Sequence, residues 1–386
     1  MSVPSVNWNY PTAIKAGPGR ISELPQACRE LGMARPLLVT DPGLAALPMV
    51  AAAQAACREA GLQCGLFHDI KGNPTGRNVD DGVTAYRQGG HDGVIAMGGG
   101  SALDAAKAIA LMAGQQRPLW DFEDVGDNYL RVNVAGMAPV VAAPTTAGTG
   151  SEVGRASVIT DEAAEVKRII FHARMLPAIV ILDPELTVGL PPKITAATGM
   201  DALSHNLEAY CSPVFHPMAT GIALEGMRMV KEYLPQAVAD GADLQARQQM
   251  LVASSMGATA FQRGLGAMHA LAHPLGALYD AHHGLLNAIL MPYVLKANQH
   301  AVAPRLEALA RYLDLPARPG AVLDWVLALR EAIGIAHTLA EIGIDDAQAE
   351  RVGRMAAADP SAGTNPVDYS AAQYTELFRA AVHGNL

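Results

Sequence analysis

The chain has 386 residues, of which 50% are hydrophobic and 17% charged, with a formal net charge of −9. That length exceeds one ordinary hydrophobic core, so two domains are expected, and the acidic balance without a basic stripe excludes nucleic acid or an anionic membrane as the main partner. The sequence contains no apolar run long enough to span a membrane, no leader pattern in MSVPSVNWNYPTAIKAG, and four cysteines (Cys28, Cys57, Cys64, Cys211) without CxxC spacing, which predicts a cytoplasmic protein with ordinary buried thiols.

From residue 36 the pattern alternates. Residues 36–40 (PLLVT) read as a buried strand ending in the turn residues Asp41-Pro42-Gly43. A helix is expected over 48–60, a strand over 63–67, a helix over 77–88, and strands over 93–97 (GVIAM), 139–143 (PVVAA) and 178–182 (AIVIL). Strand and helix in repetition imply a parallel sheet covered on both faces. Beyond Asp183-Pro184-Glu185 the strand signals nearly stop. Helical spacing continues over 195–210, 219–233, 243–260 and 322–332, with turns expected at 214–218 and 356–367. The composition shift at Leu190-Pro191-Pro192 divides the chain into an α/β domain, 1–188, and an all-helical domain, 189–386.

The strand at 93–97 runs into Gly98-Gly99-Gly100-Ser101 and then a helical stretch. Such a junction collects bare backbone N–H groups and the positive end of a helix dipole, where phosphate binds readily. The spacing is neither the usual dinucleotide fingerprint, since Leu103 stands where a third glycine would, nor a P-loop; a tight turn is the alternative. Thr145, Thr146 and Thr149 follow the next strand at its carboxyl end, where open α/β sheets bind ligands. Asp41 is placed either to accept from ribose hydroxyls, which favours NAD over NADP, or simply to form the turn before Pro42.

Four histidines, His269, His273, His282 and His283, fall within fifteen residues. His269 and His273 share one helical face, as do Asp201 and His205, being four residues apart. A turn at Gly284 is expected to bring His283 back towards the others. Asp201, His205, His269 and His283 together offer one oxygen and three nitrogen ligands, a set suited to Fe2+ or Zn2+ rather than Mg2+ or Cu+.

The motifs GGGS-x2-D-x2-K (98–107), PTTAGTGSE (144–152), GMDALSHNLE (199–208) and GLGAMHALAHPLGALYDAHHG (264–284) together resemble the iron-containing, or group III, alcohol dehydrogenases over nearly the whole chain. The resemblance implies a Rossmann-like domain followed by an all-helical domain, as in dehydroquinate synthase, with NAD(P) and a divalent metal, Fe2+ ahead of Zn2+, between them. It places the metal on Asp201, His205, His269 and His283, and a proton-transferring or positioning role on His273. Asp41, Gly98, Gly99, Gly100, Ser101, Thr145, Thr146 and Thr149 match cofactor-binding positions, as do Asn73 and Lys167. His282 matches no ligand position. The chain departs from many members at Gly154, where they carry threonine, and at Phe261, eight residues before His269 instead of nine; both positions belong to the expected substrate pocket. The intact ligand positions argue against the metal-free maleylacetate reductase branch. The expected activity is hydride transfer between NAD(H) and a small primary alcohol or aldehyde, in a homodimer or larger homo-oligomer. The alternatives are a metal- and NAD-dependent lyase or cyclase of dehydroquinate synthase type and a non-catalytic NAD- or metal-binding protein.

Overall fold

The structure is a computed structural model describing residues 12–386 and the strand at 6–8, so part of the segment weighed as a leader lies outside the described residues. The chain forms two compact units, Met1–Thr146 with Gly150–Gly189, and Ala147–Thr149 with Leu190–Leu386.

The first unit is built on seven strands: β1 (Val6–Trp8), β2 (Ala13–Ala16), β3 (Pro36–Val39), β4 (Gly65–Phe67), β5 (Gly93–Gly98), β6 (Val140–Pro144) and β9 (Ile179–Leu182). Their order across the sheet is β1-β2-β9-β6-β5-β3-β4. Only β1 runs antiparallel to its neighbour. Val94, Ile95, Ala96 and Met97 of β5 are all buried, as a strand covered on both faces requires. The helices of this unit are α1 (Leu24–Glu30), the single turn α2 (Pro42–Ala45), α3 (Pro48–Glu59), α4 (Gly76–Gln88) and α5 (Gly100–Met112). Thr75 and Asn78 close a capping box at the start of α4.

A second, two-stranded sheet, β7 (Ala156–Asp161) with β8 (Val166–Phe171), was not among the expected strands. Its connection contains no glycine, proline or asparagine; Glu165 itself takes the left-handed conformation at φ 54°. The usual turn signal is therefore missing from the sequence. The hairpin reaches the rest of the unit through Thr160 N–H to Pro74 O (2.7 Å).

The second unit is helical: α6 (Pro192–Cys211), α7 (Pro217–Ala239), α8 (Leu244–Ala260), α9 (Ala267–Tyr279), α10 (His283–Tyr312), α11 (Ala321–Ala332), α12 (Ala349–Ala358) and α13 (Ala371–His383). From Thr195 to Cys211 every residue of α6 is buried, with α7, α8 and α10 packed around it. Small side chains along α6 let these helices approach. Gly284 of α10 is a case the neighbour cannot relieve, since a Cβ there would lie 2.6 Å from a backbone atom, Ala197 O. Pro292 lacks the N–H that would satisfy the carbonyl four residues back in α10, and the buried Arg330 donates to Ile289 O at 3.0 Å and Ala288 O at 3.5 Å instead. Among the described residues no helix is long and apolar enough to cross a membrane.

Two expected turns are shorter than anticipated. Pro217 and Met218 already belong to α7, because proline is well tolerated in a first helical turn, and α12 persists to Ala358 before a short 3-10 turn at Pro360–Thr364.

Candidate metal and nucleotide sites

Asp201 and His205 project from one face of α6, and His269 and His273 from one face of α9. The chain reverses before His283 instead of at Gly284. Asp280 ends α9 in the left-handed conformation at φ 49°, His282 caps α10 by accepting from Leu285 N, and His283 is the first residue of α10. One ligand atom from each of Asp201, His205, His269 and His283 lies within 4.8 Å of every other. His205 Nε2 and His283 Nε2 are 3.9 and 3.8 Å from Asp201 Oδ1.

Two of the three imidazoles, those of His205 and His269, are aimed by a partner through Nδ1. His205 Nδ1 donates to Gly148 O at 3.2 Å. His269 Nδ1 donates to Glu208 Oε2 at 2.6 Å, and Glu208 also accepts from Gly266 N (2.9 Å) and Met268 N (2.7 Å) at the start of α9. One carboxylate thus both caps the helix carrying His269 and fixes its tautomer, leaving the Nε2 lone pair towards Asp201. Burial holds His205 down at about 4, so it is neutral and able to ligate at neutral pH. Burial opposes protonation of His269 too, but the Glu208 charge and hydrogen bond outweigh it and raise its pKa.

These residues fit a divalent cation. Asp201 is a buried carboxylate whose neighbours are the Asn287 amide (2.8 Å) and the Ser204 hydroxyl (3.4 Å), with the histidines as the nearby groups able to carry positive charge. An anion so enclosed calls for a counter-ion. Asn287 Nδ2 also lies 3.2 Å from both His269 Nε2 and His283 Nε2. Its Oδ1 is buried without a hydrogen-bond partner among the described atoms, as expected where a polar cluster is completed by an ion. Four N/O atoms of this kind suit Fe2+ or Zn2+ in the chemistry of the donor set.

His273 stands just outside the four. Its Nδ1 is 2.8 Å from Asp359 Oδ2, and Asp359 Oδ1 accepts from Ser361 N at 2.8 Å. Although burial alone would raise the Asp359 pKa, His273 and the Ser361 hydrogen bonds bring it below its ordinary value. Phe261 packs edge-on against the His205 ring, 5.3 Å between centroids.

In the α/β unit, Gly98 closes β5 and Gly99 is the N-cap of α5. Gly98 has φ 151°, and a Cβ would meet Ala102 Cβ at 2.7 Å, so the fold itself demands glycine. Gly99 differs. Its φ of −76° suits any residue, and a Cβ would touch only Thr146, at 3.4 Å. The fold leaves an open cradle there, of the kind a phosphate group fills at a helix N-terminus. Gly100 opens α5, and Ser101 Oγ donates to Gly72 O. Thr145 N donates to Gly98 O (2.9 Å), which ties the β6 end to the same loop. Asp41 caps α2 by accepting from Leu44 N at 3.0 Å, with Oδ2 turned towards Gly98. Asn73 and Lys167, distant in sequence, are joined by Lys167 Nζ to Asn73 Oδ1 at 2.8 Å. Arg168, next to Lys167, binds Glu123 (2.6 Å) and Asp161 (2.9 Å). Thr149 belongs with the helical unit.

Glu208, Asn287, Asp359 and the Gly148 carbonyl were not singled out from the sequence. Glu208 closes the GMDALSHNLE motif, and its place one turn after His205 was the available signal.

The sequence model of the iron-containing alcohol dehydrogenases matches residues 11–184, and that of the C-terminal region of the same family matches residues 195–382. The chain belongs to the iron-containing alcohol dehydrogenase family. Within this family it is 38% identical over 384 residues to a 4-hydroxybutyrate dehydrogenase of Cupriavidus necator, covering 97% of this chain and 99% of that one. Its fold is similar to the crystal structure of a 1,3-propanediol oxidoreductase, with a TM-score of 0.90, 33% identity, and 99% and 100% of the two chains covered. A sulfoacetaldehyde reductase from Bifidobacterium kashiwanohense, solved in complex with NAD+, is similar at a TM-score of 0.86 and 29% identity, with 99% of each chain covered. As an iron-containing alcohol dehydrogenase the chain is an oxidoreductase, and the family implies metal and NAD binding.

Proposed function

We propose that the protein interconverts a small primary alcohol and its aldehyde, with NAD(H) as hydride carrier and a divalent cation, Fe2+ ahead of Zn2+, held by Asp201, His205, His269 and His283. The observation that carries this is the buried Asp201 carboxylate surrounded by three imidazoles, with His205 and His269 aimed by separate partners. When bound, the cation supplies Lewis acidity towards the substrate oxygen and the nicotinamide accepts or returns the hydride. Glu208 and Gly148 O hold His269 and His205 in the tautomer that presents Nε2. Asp359 holds the proton of His273 on Nδ1, leaving Nε2 as the atom that accepts and returns the substrate proton. Phe261, against His205, supplies an apolar wall for an uncharged or hydroxylated substrate.

The α/β unit is the dinucleotide-binding domain in this proposal, and the helical unit the metal-binding one. Gly98, Gly99, Gly100 and Ser101 form the pyrophosphate loop. Thr145, Thr146, Thr149 and the Asn73–Lys167 pair make further cofactor contacts. Asp41 takes the ribose hydroxyls, its charge repelling the 2′-phosphate of NADP. The four free thiols suit a reducing cytoplasm, and the exposed Phe215 and Met218 suit a homodimer or larger homo-oligomer, which light scattering tests. A metal analysis combined with an NADH-linked screen of short aldehydes tests the central assignment. NADH oxidation with one cation per chain is expected. Undiminished turnover after verified metal removal would defeat it.

A further inference from the structure

Arg330, in the last turn of α11, is 2% exposed, and its partners are backbone carbonyls and an imidazole rather than a carboxylate. Nη1 donates to Ile289 O at 3.0 Å and Ala288 O at 3.5 Å, and Nη2 donates to His337 Nδ1 at 2.6 Å. Arginine has no acceptor, so this His337 nitrogen carries no proton. Tyr293 Oη donates to His337 O at 3.1 Å, which ties His337 back to α10. Arg330 Nε is buried without a hydrogen-bond partner among the described atoms. Packing alone does not call for a guanidinium here: it is costly to desolvate, and methionine would fill much of the same space without an orphaned donor. The demand for a donor comes from α10. Pro292 deprives Ala288 O of its helical partner. Asn287, one residue before that carbonyl, and His283, the first residue of the helix, both lie on the N-terminal side of the break.

We propose that Arg330 is a positioning residue for the metal site. A proline inside a helix lets the turns on either side of it settle at different angles, according to how the freed carbonyls are satisfied. Arg330 supplies the missing donor from α11 and so fixes the path of residues 283–291 into Pro292. Asn287 directly precedes the two carbonyls that Arg330 holds, and its Nδ2 lies 2.8 Å from Asp201 Oδ1 and 3.2 Å from the Nε2 atoms of His269 and His283. Asp201 stands on α6 and His269 on α9. A shift of the first turns of α10 therefore moves His283 and the Asn287 amide together against ligands that stay where they are. This role rests on Asp201, His205, His269 and His283 being the cation ligands proposed for the chain; Arg330 acts on them through the backbone of α10.

The test is Co2+ binding to the full chain, read by chelator competition and by the visible absorption of the bound ion. Arg330→Met and Arg330→Lys are each made with and without Pro292→Ala, which returns the N–H that Ala288 O lacks. Arg330→Met should weaken Co2+ binding on the order of tenfold and alter the visible bands. Arg330→Lys keeps the charge but not the fork, and should lose about threefold. With Pro292→Ala the cost of either change should shrink to about twofold or less, because coupled positions do not add. Packing alone would lower the melting temperature and leave the Co2+ affinity and bands unmoved. The proposal is overturned by unmoved affinity and bands in folded Arg330 variants, or by equal losses with and without Pro292. Where Arg330→Met folds poorly, Arg330→Lys decides. His283→Ala checks the ligand set in the same assay. If it binds Co2+ as well as the unsubstituted protein, the ligand set is wrong and the role of Arg330 falls with it. If it loses Co2+ while the Arg330 variants keep it, the role of Arg330 alone falls.

Discussion

Replacing Glu208 with glutamine isolates the part of the proposed metal site that lies behind its four candidate ligands. Glu208 accepts three hydrogen bonds, from Gly266 N, Met268 N and His269 Nδ1. Glutamine has nearly the same volume but only one acceptor oxygen; its amide NH2 must face one of those donors. With the NH2 in place of Oε2 it faces Gly266 N and His269 Nδ1 and drives the His269 proton to Nε2, where it blocks the lone pair that would ligate; in place of Oε1 it faces Met268 N and loosens the start of the helix that carries His269. Loss of an outer partner of this kind weakens metal binding about 10- to 100-fold, or about 1.4–2.8 kcal/mol. Chelator competition with Co2+ or Zn2+ measures the affinity directly, and Glu208→Asp, which restores the acceptor pair at shorter reach, should recover part of it. An unchanged metal affinity in a folded Glu208→Gln protein would refute the claim that this carboxylate sets the tautomer of His269.

Other outcomes follow from the same geometry. Gly99→Ala should change stability by no more than about 1 kcal/mol, because its backbone angles suit alanine, yet weaken NADH binding on the order of tenfold in a fluorescence titration; equal affinity would mean that nothing approaches that backbone. Asp359→Asn keeps an acceptor for Ser361 N but turns an NH2 towards His273 Nδ1. The proton should then sit on Nε2 and kcat fall about 100-fold with KM little changed, whereas a proportional rise in KM would assign Asp359 to packing alone. The metal-free protein should lose stability in acid. His205 is held at about 4 in the fold against 6.5 as its ordinary value, so unfolding takes up a proton between those limits, and stability falls as pH drops through that window, by up to about 3 kcal/mol. The raised pKa of His269 acts in the opposite sense, above 6.5, while the burial-lowered pKa of His172 adds to the fall below 6.5, so the His205 share is read from the difference between the protein and its His172→Gln variant. Urea melts from pH 7 to pH 4 measure this, and a flat profile contradicts a neutral, desolvated His205.

The parallel strands were legible because their runs are apolar without interruption: Leu37, Leu38 and Val39, or Val94 to Met97, can only be covered on both faces. The β7–β8 hairpin was not, since a left-handed glutamate at residue 165 leaves no mark in a sequence. Chemistry-bearing residues four apart announce a shared helix face, so Asp201 with His205 stood out, as did His269 with His273. What makes the set converge lies elsewhere. His283 reaches Asp201 because Asp280 reverses the chain and Gly284 sits against Ala197 O. The partners that aim the imidazoles are 57 residues from His205, 61 from His269 and 86 from His273, and no periodicity connects positions so far apart.

The most direct test of the metal assignment is an anomalous difference map from crystals of the metal-loaded protein, collected at the absorption edge of the bound metal. One peak is predicted, about 2.0–2.2 Å from an Asp201 carboxylate oxygen and from Nε2 of His205, His269 and His283. A peak held by other residues, or none in crystals grown from active protein, would contradict it.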